Sequence, residues 1–244
     1  MGIQTDITLY TEGTPNGLKT SIILEELDFN THEQKEPWFL EINPNGRIPA
    51  LTDKDDNGNE IRIFESGAIL LYIVAKYDKN HKISYPYGSN EHWQTVNWLM
   101  WQMGGIGPMQ GQANHFTRFA PEKLKYPIDR YVNETHRLYR TLDQHLTKTK
   151  TGFIVGDRVT VADIAIWPWV AAHNFSGLSS LSRYTNVVKW FEALLQRPGF
   201  EAGRNLPRPH FHITLNELPE VELDKIAEQG KKWQDEARER DTVL

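Results

Sequence analysis

The sequence predicts a small α/β domain followed by an all-α domain. Three observations carry this. Short strand-like runs are confined to residues 1–77. Past a polar stretch at 78–90, which holds Tyr85-Pro86-Tyr87-Gly88, every periodic segment repeats at helical spacing. The continuously apolar run Val161 to Ala172 is too long for a strand and marks a buried central helix. The expected division is a first domain at 1–77, a linker at 78–90, a helical domain at 91–203 and an extension at 204–244.

The elements follow in order. Ile7 to Tyr10 reads as a short strand. Pro15 to Leu27 reads as a helix, with Thr14 as N-cap and Pro15 at the first helical position. Its apolar positions Leu18, Ile22, Ile23 and Leu27 share a face. Asn30 to Gln34 is a weaker strand. Ile48 to Thr52 and Ile61 to Phe64 are strands joined by the hairpin signal Asp55-Asp56-Asn57-Gly58. Ser66 to Lys76 is a helix that Ser66 is placed to cap. His92 to Met103 carries Trp93, Val96, Met100 and Trp101 at helical spacing, and Pro127 to Leu146 carries Ile128, Tyr131, Thr135, Leu138, Leu142 and Leu146. Thr160-Val161-Ala162-Asp163 is a capping box, a structural device rather than a site.

Composition narrows the function. The chain has 244 residues, 39% hydrophobic and 24% charged, as in an ordinary soluble globular protein. No run of 18 apolar residues exists, and Met1 to Leu9 lacks the features of a secretory signal, so a cytoplasmic protein with no membrane partner is expected. The net charge of −5 argues against a nucleic-acid partner. Cysteine is absent, which removes disulfide staples, thiolate metal sites and a cysteine nucleophile. His210 and His212 have no third ligand in view, so no metal is expected. Thiol chemistry in this chain needs a substrate that brings the sulfur.

Two stretches point to such a substrate. Asn43-Pro44-Asn45-Gly46-Arg47-Ile48-Pro49-Ala50-Leu51 enters a strand through Ile48-Pro49. The proline holds Ile48 extended, with N–H and C=O ready for a peptide laid alongside. Phe64-Glu65-Ser66-Gly67 ends a strand at a carboxylate and a hydroxyl where a helix N-terminus offers unpaired N–H groups. A small peptide carrying an ammonium and a carboxylate suits both.

In order and spacing these motifs resemble the thioredoxin-like half of cytosolic glutathione transferases, with the resemblance extending over about the first 200 residues. Thr14-Pro15-Asn16-Gly17 and Trp101-Gln102-Met103-Gly104-Gly105-Ile106-Gly107-Pro108-Met109 resemble the Nu class and the fungal nitrogen-regulator-like group. The resemblance implies a βαβ-ββα thioredoxin-like domain, an all-helical second domain and a homodimer. It also implies glutathione as co-substrate, reduced and also oxidised, acting on small electrophiles, peroxides or disulfides.

Residue roles follow from the same resemblance. Asn16, with Thr14 in support, would hydrogen-bond the glutathione sulfur at the helix N-terminus. Read alone, the same four residues are an ordinary cap and turn. Tyr10 competes as sulfur donor, or is a half-buried strand residue. Glu65 would pair with the α-amino group and Ser66 with the α-carboxylate of the γ-glutamyl unit. Ile48 would bind through its backbone, beside a cis Pro49. Arg47 and Gln34 would reach the glycyl end. Arg130 would contact ligand from the second domain, or pair with Glu134 on its own helix. Met109, His115 and Phe116, with Tyr10, would line a second-substrate pocket. Gly104 to Pro108 lacks the lysine and setting of a phosphate loop and reads as a break or kink that thins one helix where it faces the cleft, leaving room for a second substrate. Disulfide reduction and peroxidase activity, with weak conjugation, are the expected chemistry. A non-catalytic glutathione-binding regulator is the alternative; those relatives carry a long Asn-rich prefix, whereas Ile7 opens the first strand here.

Overall fold

A computed structural model describes residues 5–26, 39–206, 209, 212–228 and 231. The first domain is thioredoxin-like. It runs β1 (Thr8–Tyr10), α1 (Pro15–Glu26), α2 (Phe39–Ile42), β2 (Ala50–Lys54), β3 (Glu60–Phe64) and α3 (Ser66–Tyr77). The described strands form one antiparallel sheet, β1-β2-β3, in which Tyr10 opposes Ala50 and Ala50 opposes Phe64. The β2–β3 turn forms where Asp55 to Gly58 places it. Gly58 takes a φ of 82°, and the Asp55 carboxylate accepts from Asn57 N and Asn59 N. The expected strand at Asn30 to Gln34, and Leu27, lie outside the described residues.

The second domain is helical: α4 (Asn90–Trp101), α5 (Gly107–Asn114), α6 (Lys125–Leu146), α7 (Val161–Ala171), α8 (Thr185–Leu195), α9 (Pro198–Gly203) and α10 (His212–Leu215). Ser89 caps α4 by accepting from His92 N at 3.1 Å. The helix predicted to stop at Met103 continues instead through a π-helical turn, Gln102–Ile106, into α5 and a second π turn, His115–Phe119. Residues 104–108 therefore loosen the helix without ending it. A π turn keeps a register of bonds through the glycines, where a break would leave buried carbonyls unpaired.

α7 is buried along its whole length, as its apolar sequence requires. The capping box forms: Thr160 Oγ1 accepts from Ala162 N and Asp163 Oδ2 accepts from Thr160 N at 2.9 Å. Asp163 also accepts from Ile154 N and Trp190 Nε1, tying a loop and α8 to the start of α7.

α1 is the axle of the molecule. Leu18, Ile22, Ile23 and Leu24 are all fully buried, because α3, α7 and α9 pack around it. α9 approaches so closely that a Cβ on Gly203 would lie 2.4 Å from Ile22 Cα, so only glycine fits. At the far end of α1, Arg197 makes two bonds to the buried Glu26 carboxylate, at 2.7 and 3.1 Å. One continuous core spans both domains.

The described part of the extension is packed more firmly than its charged sequence implies. Leu215, Leu223 and Ala227 are buried with Phe175. Arg118 donates to Phe175 O and Asn174 O, and to the carboxylates of Glu220 and Asp224. No helix among the described residues is long and apolar enough to cross a membrane.

Candidate functional site

The N-terminus of α1 is shaped by the loop before it. Thr14 Oγ1 accepts from Gly17 N at 3.1 Å, so Thr14 caps the helix. The loop folds back so tightly that a Cβ on Gly17 would lie 2.0 Å from Glu12 O. Asn16 sits in the first turn and is half-buried. Its Oδ1 accepts from Trp169 Nε1 of α7 at 3.2 Å. An indole N–H only donates, so this bond fixes the amide with its oxygen toward α7. The amide NH₂, a double donor at a helix N-terminus, is left for another acceptor. Trp169 is itself held. Its carbonyl accepts from Gln110 Nε2 at 2.7 Å, and its ring lies against Gly107 and Gly111. The glycines that thin this helix thus make room for an indole as well as for a cleft.

The second anchor is the β3–α3 junction. Glu65 occupies the N-cap position with φ 70° and ψ 119°, is exposed, and makes no side-chain cap bond. A non-glycine residue held there is strained, and such strain gathers at binding sites. Ser66 does not cap α3, as the sequence had implied, but begins it. Its side chain is turned inward and buried, because Oγ accepts from the buried Lys19 Nζ at 3.2 Å. Burial pulls the Lys19 ammonium down to about 7, with Glu65 opposing that shift.

The third anchor is the entry to β2. The Ile48–Pro49 peptide is cis, as expected. The strand starts at Ala50 rather than Ile48, so Ile48 precedes the ladder and its backbone stays outside the sheet pairing. Asn43 Nδ2 donates to Arg47 O at 2.5 Å and holds the turn; Arg47 is exposed.

Other expected residues are placed as follows. Tyr10 is 8% exposed and packs edge-on against Phe39 in a cluster with Ile42 and Ala50, as an inward-facing strand residue. Arg130 is exposed on α6. The hydrogen bonds to Glu134 come from Arg137, at 2.7 and 2.9 Å, while Arg130 acts on the same carboxylate through its charge. His115 and Phe116 are half-buried in the second π turn, with Phe116 stacked on Tyr131. Met109 is half-buried on α5. Gln34 lies outside the described residues. Among the described residues no three His, Cys, Asp or Glu side chains gather as a metal site. Sequence reasoning missed Lys19, Gln102 and Trp169. A lysine inside the apolar run of α1 was the available signal for the first.

The family model described as glutathione S-transferase, N-terminal domain, matches residues 16–75, and the corresponding C-terminal domain matches 96–198. The disulfide-bond oxidoreductase YfcG of Escherichia coli (strain K12) is 39% identical over 203 residues, 79% of this chain and 91% of the relative. A glutathione transferase homologue from Lodderomyces elongisporus, solved with two GSH per subunit, is 39% identical with a TM-score of 0.75. The match covers 84% of this chain and 100% of that one. A glutathione transferase from Pseudomonas putida, with one glutathione disulfide per subunit, is 36% identical with a TM-score of 0.73. It covers 82% of this chain and 91% of its own.

Proposed function

This chain belongs to the glutathione transferase family, and from that premise we propose that it reduces disulfides with glutathione as thiol donor. The observation that carries the reading is the Asn16 amide, oriented by Trp169 at the N-terminus of α1. Its NH₂ group and the helix dipole favour a thiolate over a thiol. The γ-glutamyl end lies at α3, its ammonium on Glu65 and its carboxylate at Ser66. The cysteinyl unit runs along the Ile48 backbone, and Gln34, Arg47 and Arg130 serve the glycyl end and the mouth. Met109, His115 and Phe116 flank the second substrate.

With no cysteine in the chain, both thiols come from glutathione. The first thiolate attacks a disulfide, forms a mixed disulfide and expels one thiolate. A second glutathione thiolate attacks the glutathione sulfur of that mixed disulfide, giving glutathione disulfide and the second product thiol. Two glutathiones are oxidised and one disulfide is reduced. The Lodderomyces and Pseudomonas structures, with two GSH and with glutathione disulfide, support room for this exchange. Peroxide reduction and weak conjugation use the same thiolate.

The test is turnover of 2-hydroxyethyl disulfide with glutathione, followed across pH for three variants. Asn16→Ala is expected to slow turnover roughly 10- to 100-fold near neutral pH and raise the thiol pKa. Trp169→Phe keeps the ring but frees the amide to flip, and should lower kcat more than it raises KM. Tyr10→Phe should do little. Glutathione binding without any disulfide turnover would overturn the proposal. A profile moved by Tyr10→Phe alone would assign the sulfur to the tyrosine.

A further inference from the structure

Behind the β3–α3 junction, Ser66 joins a buried cluster around Lys19, a residue that none of these steps uses. Lys19 is fully buried, and its Nζ lies 3.2 Å from Ser66 Oγ, 2.6 Å from Gln102 Oε1 and 3.6 Å from Met103 Sδ. Those are three acceptors for the three hydrogens of an ammonium. No carboxylate bonds to it among the described residues. Gln102 has its oxygen turned to Lys19, while its own buried Nε2 has no hydrogen-bond partner. A buried amide donor left orphaned costs free energy, so the arrangement favours the lysine over the glutamine.

We infer that Lys19 is a positioning residue for the ligand's carboxylate, acting through the Ser66 hydroxyl and making carboxylate binding depend on pH. The inference rests on the reading of Ser66 as the carboxylate anchor. As an ammonium, Lys19 can only donate, so Ser66 Oγ accepts from it. The Ser66 proton is then directed away from Lys19 and rests on Met103 Sδ at 3.7 Å, a weak thioether acceptor that a carboxylate at the start of α3 would displace. The ammonium adds a positive charge one side chain behind that anion. As a neutral amine, Lys19 accepts, and the Ser66 proton turns inward to it. The carboxylate then loses a donor and a nearby charge together.

The charges around Lys19 are few. Glu65 acts on it from α3. On the other elements packed against α1, Asp163 of α7 is enclosed by Thr160, Ile154 and Trp190, and Arg197 beside α9 is paired with Glu26. The π turn contributes neutral Gln102 and Met103. Burial places the proton of Lys19 near neutrality, at about 7, where binding of an anion would draw it on.

The test measures affinity for S-methylglutathione, which has no thiol to titrate, from about pH 6 to about pH 8.5 by calorimetry. Wild-type affinity is expected to fall roughly tenfold more than that of Lys19→Met across the window. The ligand's own amine titrates alike in both. Lys19→Met should bind weakly throughout and meet the wild type at the alkaline end. Should Lys19→Met fail to fold, Gln102→Glu decides. A carboxylate beside the ammonium should move the fall in affinity to higher pH, and an unmoved midpoint overturns the inference. Parallel pH profiles for wild type and Lys19→Met, with Ser66→Ala binding weakly, overturn it while the anchor reading stands. Ser66→Ala binding at wild-type strength removes the anchor reading itself.

Discussion

At the scale of single residues, this chain places costly groups at the junction proposed to hold the ligand. Glu65 sits in a strained backbone conformation, and Lys19 holds a charge in the core with no carboxylate bonded to it among the described residues. The cost of Lys19 has a definite pH signature. Its folded-state proton affinity is depressed from 10.5 to about 7. Between those values the unfolded chain holds a proton that the folded chain lacks, so stability rises with pH through that window. Below it the full penalty stands, on the order of 5 kcal/mol. Lys19→Met is therefore expected to stabilise the ligand-free protein at about pH 6 and to flatten the rise towards about pH 9. Urea unfolding at the two pH values checks this. Buried His173, depressed to about 4, adds its own rise only at more acid pH, so the windows separate. The sequence offered Glu65 and Ser66 through a strand-to-helix junction with a local mechanical meaning, and Asn16 through the family resemblance. It misassigned the Ser66 side chain and passed over Trp169, because both depend on partners 47 and 153 residues away, at Lys19 and Asn16.

At the scale of elements, the sequence was most legible where a single local rule decides. The hairpin turn, the Thr14 cap, the Thr160 box and the fully apolar α7 all form as their residues dictate. It was least legible at residues 102–119, where the glycines left a break or a kink open and the surrounding packing sustains π turns in a continuous helix. Strand ends also shifted, since β2 begins only where Tyr10 meets Ala50. The box at α7 reaches beyond capping. Asp163 is fully buried, and its carboxylate accepts from Thr160 N, Ile154 N and Trp190 Nε1. Burial alone pushes its proton affinity up, and those donors pull it back. Asp163→Ala leaves four donors without their acceptor in the core, the Thr160 hydroxyl being the fourth. Each such orphan costs about 1–3 kcal/mol, so the loss should exceed about 3 kcal/mol. A fall in the urea midpoint with unchanged slope is the expected readout. A loss under about 1 kcal/mol would mean the donors find water or new partners.

At the scale of the whole molecule, the two domains share one core about α1, so the sulfur site proposed at its N-terminus is framed from both sides. Asn16 comes from the first domain and Trp169 from the second, and any relative shift of the domains would break their bond. The remaining surface points to a further level of assembly. Trp93 and Met100 are 50% and 48% exposed and lie seven residues apart on one face of α4. Tyr87, at 84%, sits beside Trp93 just before that helix. Large apolar side chains clustered in this way on one side of a molecule mark a partner surface. The α4 and α3 side is accordingly proposed as the contact between two copies of this chain, related by a twofold axis. Burying two such aromatic and thioether side chains from each copy contributes several kcal/mol, about 1.5–3 for each. Trp93→Asp with Met100→Asp sets carboxylates against the same apolar surface across the axis. The wild type should run as a dimer at micromolar concentration in light scattering, and the double variant as a folded monomer. A wild-type monomer, or a double variant that remains dimeric, would place the contact elsewhere or remove it.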